Sequence, residues 1–309
     1  MSCRCGGMAA YTRRYSGQSL CGPCFASSIE KKAARTLSRY GMARRGETVA
    51  VAVSGGKDSL ALLQVMSRLS SSRGFGIRAV TIDEGIPGYR DEALDIASRF
   101  CRDMGVRLDV LSYSGLFGTT LEEALDTEGR QTSCAICGTL RRRALDIAAR
   151  EAGADALATG HNLDDVLQTF LINVISGDTG RIGWMDPGAR PDPPRRIKPF
   201  CEIYEEEIVF YALTTGIPFQ TEPCPHMGEG VRTEVREFLN SLEGRHAGMK
   251  NAMYGSVLRL AGMARGADTR EGAVCPGCGF RCTGGTCSVC GMLGQLGNAN
   301  IPTRPGIGR

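Results

Sequence analysis

The stretch Val49–Leu60, VAVAVSGGKDSL, determines how the rest of the sequence is interpreted. It begins with apolar residues typical of a buried strand and continues into two glycines, a lysine, an aspartate and two serines. Glycines let the backbone turn tightly and point successive N–H groups at an anion, and the N-terminus of a following helix adds favourable partial charge. The stretch therefore predicts a strand, a phosphate-binding turn and a helix, the alternative being an ordinary glycine turn.

This turn is not a Walker A loop, which requires G-x-x-x-x-G-K-[ST]. Gly56-Lys57 is followed here by Asp58, and Val51 occupies the position of the first glycine. A kinase or GTPase loop is therefore excluded.

The polar side chains of the turn nevertheless suit a magnesium–nucleotide complex. Ser54 and Ser59 can donate hydroxyls to phosphate oxygens, and Lys57 supplies positive charge. Asp58 can hold Mg²⁺, which neutralises the charge that develops on a departing pyrophosphate.

Length and composition indicate a globular protein, because the 309 residues are 42% hydrophobic and can bury a proper core. No apolar run is long enough to span a membrane, and the N-terminal MSCRCGGMAAYTRRYSGQ lacks the apolar segment of a signal peptide, so we expect a cytoplasmic location.

The net charge of only +4 shows that the molecule as a whole is not a polycation. Two basic clusters predict either a nucleic-acid contact or a solvated helix face: Lys31, Lys32, Arg35, Arg39, Arg44 and Arg45; and Arg141, Arg142 and Arg143.

Apolar runs alternate with helix-length segments, which implies right-handed crossovers and a parallel sheet. We predict an α/β fold with a doubly wound parallel sheet, flanked by zinc-binding modules at both ends. The predicted strands are 48–53, 77–82, 107–112 and 155–159; the predicted helices are 26–45, 58–70, 90–104, 138–152, 163–175, 203–215 and 231–243; 176–199 is predicted as a loop and 217–224 as extended. The predicted units are an N-terminal zinc module (1–25), a basic linker helix (26–47), a catalytic domain (48–270), a zinc ribbon (271–292) and a flexible tail (293–309).

Two further loops are predicted at the carboxyl edge of the sheet, where doubly wound folds bind ligands. They are residues 83–90 and residues 160–165. Gly160 would allow close approach of a ribose or an α-phosphate. Asp165 would help to bind Mg²⁺ or handle a proton, whereas the structural alternative makes Asp164 and Asp165 helix caps.

The fourteen cysteines indicate metal binding, since clustered cysteines in a reducing compartment rarely form disulfides. Two C-x-x-C pairs near the C-terminus predict a tetrahedral zinc ribbon, with Cys282 as a spare ligand: Cys275 and Cys278, Cys287 and Cys290. A second zinc site is predicted at the N-terminus, although the C-x-C spacing of its first pair leaves the geometry open: Cys3, Cys5, Cys21 and Cys24.

A third set comprises Cys134, Cys137 and Cys224, the first two directly preceding a predicted helix. From the residues alone they are buried unpaired thiols, a zinc knuckle that lacks one ligand, or three thiolate ligands of an iron–sulfur cluster. Cys101 and Cys201 are predicted to be core residues.

The six residues SGGKDS at 54–59 resemble the pyrophosphate-binding loop, SGGxDS, of the PP-loop ATP pyrophosphatases. Further segments are similar to tRNA 2-thiolation enzymes of the TtuA type: IDEGIPGYRD, SCAICGTLRRRALD, ATGHNLDDVLQTFLINVISGD, RRIKPF and YEEEIVFYA. The resemblance covers residues 3 to about 290. It implies an adenine nucleotide alpha-hydrolase-like fold and ATP-dependent replacement of the C2 oxygen of a tRNA uridine by sulfur.

The resemblance also implies roles for individual residues. Cys134, Cys137 and Cys224 would hold a catalytic [4Fe–4S] cluster with one open iron, a cysteine persulfide being the competing chemistry. Arg141, a lysine in some relatives, would contact the α-phosphate or the oxyanion beside Asp165, but a guanidinium is a poor proton donor. ATP would contact a set of residues with its adenine near Ile82 and its ribose near Gly160: Ala52, Ser54, Gly55, Gly56, Lys57, Asp58, Ser59, Ile82, Asp83 and Gly160.

The implied partners are tRNA, a ubiquitin-like sulfur carrier or inorganic sulfide as sulfur donor, and a second copy of the chain. The LRRRAL segment favours wobble position 34 over position 54 or cytidine 32. Two rival functions remain: a PP-loop enzyme that amidates or thiolates a small molecule, and a zinc protein that binds nucleic acid without catalysis.

Overall fold

The computed structural model describes residues 2–126, 132–187, 194–226, 230–267, 273–282 and 284–297. Its strands are β1 (Tyr11–Arg13), β2 (Gln18–Leu20), β3 (Thr48–Ala52), β4 (Gly76–Asp83), β5 (Leu108–Ser112), β6 (Ala156–Ala158), β7 (Arg195–Ile197), β8 (Ala273–Val274) and β9 (Arg281–Cys282). Its helices are α1 (Gly22–Arg39), α2 (Lys57–Arg73), α3 (Tyr89–Asp103), α4 (Tyr113–Phe117), α5 (Leu121–Leu125), α6 (Ser133–Glu151), α7 (Leu163–Ile175), α8 (Glu205–Thr215), α9 (Val231–Arg245), α10 (Met249–Ala267) and α11 (Ser288–Gln295), with a 3₁₀ helix at Thr179–Met185.

The central sheet has five parallel strands in the order β5-β4-β3-β6-β7, which confirms the predicted doubly wound fold. The chain runs outward from β3 to β5 on one side and resumes at β6 on the other side of β3. The strand order therefore reverses between β3 and β6, and a crevice at the carboxyl ends of the strands is expected there. The loops that follow β3 and β6 are two of the three loops that the sequence predicted at the nucleotide site; the third follows β4.

Strand β3 is buried on both faces, as its uninterrupted apolar sequence predicts. Val49 and Val51 belong to the core that also contains residues of α1, α2 and α8. Ala50 belongs to a second core, formed with α6 and the C-terminal cysteine module. The period of two along a strand thus directs successive residues into different cores.

Several predicted boundaries were wrong for identifiable physical reasons. The predicted loop 176–199 contains the 3₁₀ helix and β7, a short edge strand whose Arg195 and Arg196 pair with Glu47 and Asp146 and therefore show no apolar pattern. Helix α1 begins at Gly22 and ends at Arg39, not at 45, since the chain turns at Gly41 with φ +56°.

Other elements were missed or misplaced. Helices α4, α5 and α10 were not predicted, and residues 217–224 form no strand. Helix α6 begins at Ser133, five residues before the predicted start at 138. The predicted tail at 293–309 is helical as far as Gln295, and its residues 298–309 lie outside the described part of the chain. Within the described residues, no helix combines the length and apolarity needed to cross a membrane.

The N-terminal hairpin β1–β2 is joined to the catalytic core by one buried carboxylate. Glu207, at the start of α8, is fully buried and accepts from Arg13 Nε at 2.5 Å and from the Tyr15 hydroxyl at 3.0 Å. Lys32 of α1 lies 3.5 Å from the same carboxylate, and Arg39 pairs with Glu202. Two cations of the predicted basic helix are thus engaged in structural ion pairs.

We predict that Glu207→Gln lowers the free energy of unfolding by about 3–5 kcal/mol, since it leaves buried Arg13 and partly buried Lys32 without a countercharge. Urea unfolding at fixed zinc concentration measures the change. Glu206→Gln is the matched control, because Glu206 is exposed and, within the described part of the chain, accepts a hydrogen bond from Tyr11 alone. This variant is expected to cost less than about 1 kcal/mol. Equal effects of the two variants would contradict this role of Glu207.

Candidate active site

The loop between β3 and α2 is held in shape by its own hydroxyls. Ser59 Oγ accepts from the Ser54 backbone N–H at 3.0 Å and from the Ser54 hydroxyl at 3.1 Å, and it donates to Gly56 C=O at 2.9 Å. Gly55 has φ +88°, and a Cβ there would lie 2.6 Å from the carbonyl oxygen of Ala93. Both its backbone conformation and this close contact with α3 therefore require glycine.

The end of α2 that faces this loop provides backbone donors. Gly56 is the N-cap residue of α2 and supplies no side-chain cap, so the first-turn N–H groups lack the usual side-chain acceptor. Lys57 Nζ lies 2.8 Å from Asp58 and 2.9 Å from Glu205 of α8. The loop thus combines helix N–H groups, a lysine and carboxylates, which suits an anion that carries a divalent cation.

The loop after β6 packs directly on this first turn of α2. Asn162 Nδ2 donates to Asp58 Oδ1 at 3.1 Å. A Cβ on Gly160 would lie 3.0 Å from the backbone of Asp58 and 3.1 Å from Ser59 N. The close approach that Gly160 permits in the structure is therefore made by the protein backbone, and its predicted contact with a ribose remains a prediction.

The two aspartates at the start of α7 have different environments. Asp164 is buried, forms an ion pair with Lys250 of α10 and accepts from Glu205 N–H at 2.8 Å, so it has a structural role. Asp165 accepts from the Asn162 backbone N–H at 3.1 Å as part of a capping box. The pKa of Asp165 is raised to about 6, chiefly by burial, with smaller contributions from the charges of Asp58 and Glu205. Asp165 can consequently exchange a proton near neutral pH.

A buried arginine connects the nucleotide loop to the end of β4. Arg90 donates from Nη1 to Ser54 C=O at 2.7 Å and from Nε to Ile82 C=O at 2.8 Å. Its Nε also lies 2.8 Å from Glu84, and both side chains are about 5% exposed. Asp83 accepts from the Gly85 backbone N–H at 2.9 Å. Arg90 therefore fixes Ile82, one of the predicted adenine contacts, to the phosphate loop.

The same Glu84 also contacts the helix that carries two cysteines. Arg141 Nε lies 2.7 Å from Glu84 Oε1, and Arg141 Nη2 lies 3.1 Å from Cys137 Sγ. A continuous chain of polar contacts thus runs from the Ser54 carbonyl through Arg90, Glu84 and Arg141 to Cys137.

Cys134 and Cys137 lie within the first five residues of α6, whereas the sequence predicted that they precede the helix. Cys134 is exposed, Cys137 is buried, and Cys224 packs against the same core as Cys137. The Ser133 hydroxyl donates to His226 C=O at 3.1 Å and so ties the Cys224 segment to α6. Burial raises the pKa of the Cys137 thiol, while Arg141 opposes that rise.

Among the described residues, two groups of four cysteines bring their sulfurs within 4.8 Å of one another and could each hold a metal ion. They are Cys3, Cys5, Cys21 and Cys24; and Cys275, Cys278, Cys287 and Cys290. The C-x-C spacing therefore does not prevent convergence. Cys282 lies outside these groups and donates to Gly284 C=O at 3.2 Å.

The set of Cys134, Cys137 and Cys224 does not reach that closeness. Because a multi-iron cluster binds each thiolate at a different iron, wider spacing suits it better than it suits a single zinc ion. Cys101 and Cys201 are buried, as predicted for core residues.

Several site residues were not found from the sequence. Glu84 lies inside the segment IDEGI, beside a predicted contact, and Arg90 ends the same predicted loop. Glu205 belongs to an acidic run and Lys250 to the unpredicted helix α10. Their only sequence signal is a charged residue next to an apolar segment, which does not distinguish a buried ion pair from a solvated side chain.

The parallel sheet, with a glycine turn at its topological switch point, defines a nucleotide-binding α/β protein of the PP-loop class. Residues 26–243 match the family model described as a PP-loop domain. The chain is 37% identical over 313 aligned positions to cytoplasmic tRNA 2-thiolation protein 1 of Drosophila erecta and of Drosophila melanogaster, covering 99% of this chain and 90% of each relative.

A solved structure is also similar: U34-tRNA thiolase NcsA from Methanococcus maripaludis with its [4Fe-4S] cluster. It is 30% identical with a TM-score of 0.80, and the match covers 94% of this chain and 95% of that chain. The chain therefore belongs to the PP-loop family, in the group of the cytoplasmic tRNA 2-thiolation proteins.

We predict that Asp165→Asn stabilises the protein near neutral pH and that this advantage shrinks in acid. The raised pKa shows that the folded state disfavours the ionised carboxylate. The protonated Asp165 therefore contributes stability that is fully present below about pH 4 and is lost as the pH rises through about 6. The advantage of the variant in free energy of unfolding should be about 1 kcal/mol smaller near pH 5 than near pH 7.5.

Urea unfolding at the two pH values measures this difference. Asp164→Asn is the control; it removes the partner of buried Lys250 and is expected to destabilise at both values. A constant difference between Asp165→Asn and the parent protein would show that Asp165 has an ordinary pKa.

Proposed function

We propose that this protein is an ATP-dependent tRNA uridine 2-sulfurtransferase that adenylates the C2 oxygen of a tRNA uridine and replaces it with sulfur. The observation that carries the proposal is the contact chain from the phosphate loop through Glu84 to Cys137. It holds a site for nucleotide cleavage and a site for sulfur chemistry at one edge of the sheet. The similarity to tRNA 2-thiolation proteins and to a U34-tRNA thiolase supports the same conclusion.

ATP–Mg²⁺ would bind along the loop at Ser54–Ser59, with its adenine near Ile82 and Asp83 and its ribose near Gly160. Backbone N–H groups, Lys57 and a cation held by Asp58 would bind the β and γ phosphates. The uridine C2 oxygen attacks the α-phosphorus, and the bond to pyrophosphate breaks. The base then carries AMP as a good leaving group, so that sulfur can add at C2 and AMP can depart.

The cysteine set is proposed to hold a [4Fe–4S] cluster. Two thiols from one helical turn, a third from the segment at 224 and an adjacent guanidinium fit a group that needs three thiolates and some charge compensation. When bound, the cluster would supply an iron that is open to sulfur. Arg141 would stabilise the thiolate of Cys137 and the developing negative charge, and Asp165 would accept or hold a proton.

The two Cys₄ groups are proposed to bind Zn²⁺, since four convergent cysteine sulfurs are its usual structural ligand set. Arg143 of α6 donates to Cys278 Sγ at 3.1 Å and lies 3.6 Å from Cys287 Sγ. Its guanidinium also lies 3.7 Å from the centroid of the Phe280 ring. A zinc ion with four thiolates has net negative charge, which this guanidinium offsets in a buried place.

The remaining parts of the proposal rest on the family resemblance of the sequence, and the similarity to a U34-tRNA thiolase supports the choice of position 34. The substrate would be the wobble uridine at position 34, with position 54 and cytidine 32 as alternatives. A ubiquitin-like protein or inorganic sulfide would donate the sulfur, the protein would act as a homodimer, and its location would be cytoplasmic. The division at 25, 47, 270 and 292 is retained as a description of functional units, although α1 crosses the first boundary and α11 crosses the last.

We predict that Arg143→Met accelerates zinc release from the C-terminal site by about 10-fold or more. Without the guanidinium, the negative charge of the thiolates is not offset, and protons compete more effectively with zinc for them. A chromophoric chelator follows the release of both zinc ions. Arg142→Met is the control, since Arg142 donates to Thr139 and contacts neither cysteine group. Equal release rates for the two variants would refute this role of Arg143.

The function is tested by nucleoside mass spectrometry of tRNA from cells that depend on this protein for 2-thiouridine. Cys134→Ser is expected to abolish 2-thiouridine, because it removes one of three thiolates. Cys282→Ser is the control, as Cys282 is a partly exposed cysteine outside all three sets, and it should leave the modification unchanged.

The same preparations, purified without oxygen, should release AMP and pyrophosphate from ATP and carry iron and visible absorption that Cys134→Ser reduces. Release of ADP and phosphate would contradict adenylation. If the parent protein contained zinc but no iron, and its cells still made 2-thiouridine, persulfide chemistry would be favoured. Unchanged 2-thiouridine in the Cys134→Ser strain would refute the proposed function.

A further inference from the structure

A group of cations surrounds the carboxyl ends of β6 and β7, on the other side of β6 from the phosphate loop. His161 follows β6 and Lys198 follows β7, and the two strand ends are joined by a hydrogen bond from Thr159 N–H to Ile197 C=O of 3.0 Å. We call the following residues the basic surface: Arg142 of α6, Arg181 of the 3₁₀ helix, Arg196 of β7, Lys198, and Arg232 of α9.

These cations are close enough to act on one another electrostatically. Arg142 has its pKa lowered by desolvation and by the charges of Arg196 and Arg181. The pKa of His161 is lowered to about 3, first by desolvation and then by Lys198 and Arg232 among others. Positive charge is therefore concentrated here at a free-energy cost that a bound anion would relieve.

Only part of this charge is neutralised within the described residues. Arg196 pairs with Asp146 at 2.7 Å and Arg181 with Asp178 at 2.9 Å. Arg142 and Arg232 are exposed and form no ion pair with any described residue. Arg142 donates to the Thr139 hydroxyl, and Arg232 to the Gln168 side-chain oxygen at 3.2 Å.

The position of the basic surface relates it directly to the candidate active site. Arg142 lies on α6 beside Arg141, which contacts Cys137. Arg232 lies close enough to Asp165 to lower the pKa of that carboxyl, against the larger effect of burial. A polyanion on this surface would therefore lie at the same edge of the sheet as the phosphate loop, with β6 between them.

Two of the six cations in the predicted basic cluster are held in ion pairs. Lys32 and Arg39 of α1 are engaged with Glu207 and Glu202, and α1 packs on α8 and α2 through its buried face. The basic surface, by contrast, surrounds the strand ends at which the ligand crevice is expected.

We propose that the basic surface binds the phosphodiester backbone of the RNA beside the modified nucleotide. This inference rests on the proposed function, whose substrate is a tRNA. A base must be turned out of a loop to be reached in a crevice, and phosphate contacts on both sides of that base would hold it there. Arg142 and Arg232 are the cations with most to contribute, because both are exposed and neither forms an ion pair with a described residue.

The test compares double variants that remove the same charge. Arg142→Gln with Arg232→Gln removes two cations from the basic surface, and Arg99→Gln with Arg102→Gln removes two from the exposed side of α3. Fluorescence anisotropy with an unmodified tRNA transcript gives the dissociation constant over a range of salt concentrations. Calorimetry with ATP–Mg²⁺ checks the phosphate loop, and circular dichroism checks folding.

We expect the basic-surface variant to bind tRNA about 10- to 100-fold more weakly near 0.15 M salt, with the slope of log K against log salt reduced by roughly 1.5. Its ATP affinity should not change, and the α3 variant should bind tRNA like the parent protein. Arg142→Lys with Arg232→Lys keeps the charge and should retain the salt slope, which guards against a folding defect in the glutamine variant.

The possible failures are distinguishable. If the parent protein binds and thiolates tRNA and the basic-surface variant does so equally well, the basic surface is wrong and the proposed function stands. If the variant keeps tRNA binding but loses binding of an acidic ubiquitin-like protein, the surface serves a protein partner and the proposal is overturned. If the parent protein neither binds nor thiolates tRNA, the proposed function itself fails.

Discussion

The double ion pair of Glu84 is the interaction on which the arrangement of the site depends. Two arginines share this buried carboxylate. Arg90 also donates to a carbonyl of the phosphate loop, and Arg141 also donates to Cys137 Sγ. Breaking such a pair leaves buried charge without a partner, at a cost of about 3–5 kcal/mol. The position of Cys137 relative to the phosphate loop is thus fixed by a contact that tolerates little movement.

Three consecutive arginines of helix α6 make three different kinds of contact. Successive residues on a helix are about 100° apart, so neighbouring side chains enter different environments. Arg141 contacts Glu84 and Cys137, Arg142 is exposed in the basic surface, and Arg143 donates to the sulfurs of the C-terminal Cys₄ group. One helix therefore couples the cysteine site, a charged surface and the C-terminal module.

The sequence predicted the features that depend on local chemistry. The apolar run of β3 and the two glycines at 55–56 required a buried strand and a tight turn, and the cysteine spacing predicted both Cys₄ groups. It missed β7 because an edge strand with two arginines has no apolar pattern. It missed α10 because Gly255, Gly262 and Gly266 weaken the helix propensity of that segment.

The sequence by itself determined the parallel sheet, the phosphate loop at its switch point and which cysteines group together, because strand burial, glycine turns and ligand spacing are short-range properties. Only the tertiary structure decided which charges are buried in pairs and which remain exposed. Glu84 and Arg143 look like any other charged residues along the chain, and their roles arise from partners 57 and about 135 positions away. Long-range electrostatic pairing depends on how the layers pack, which no local pattern encodes.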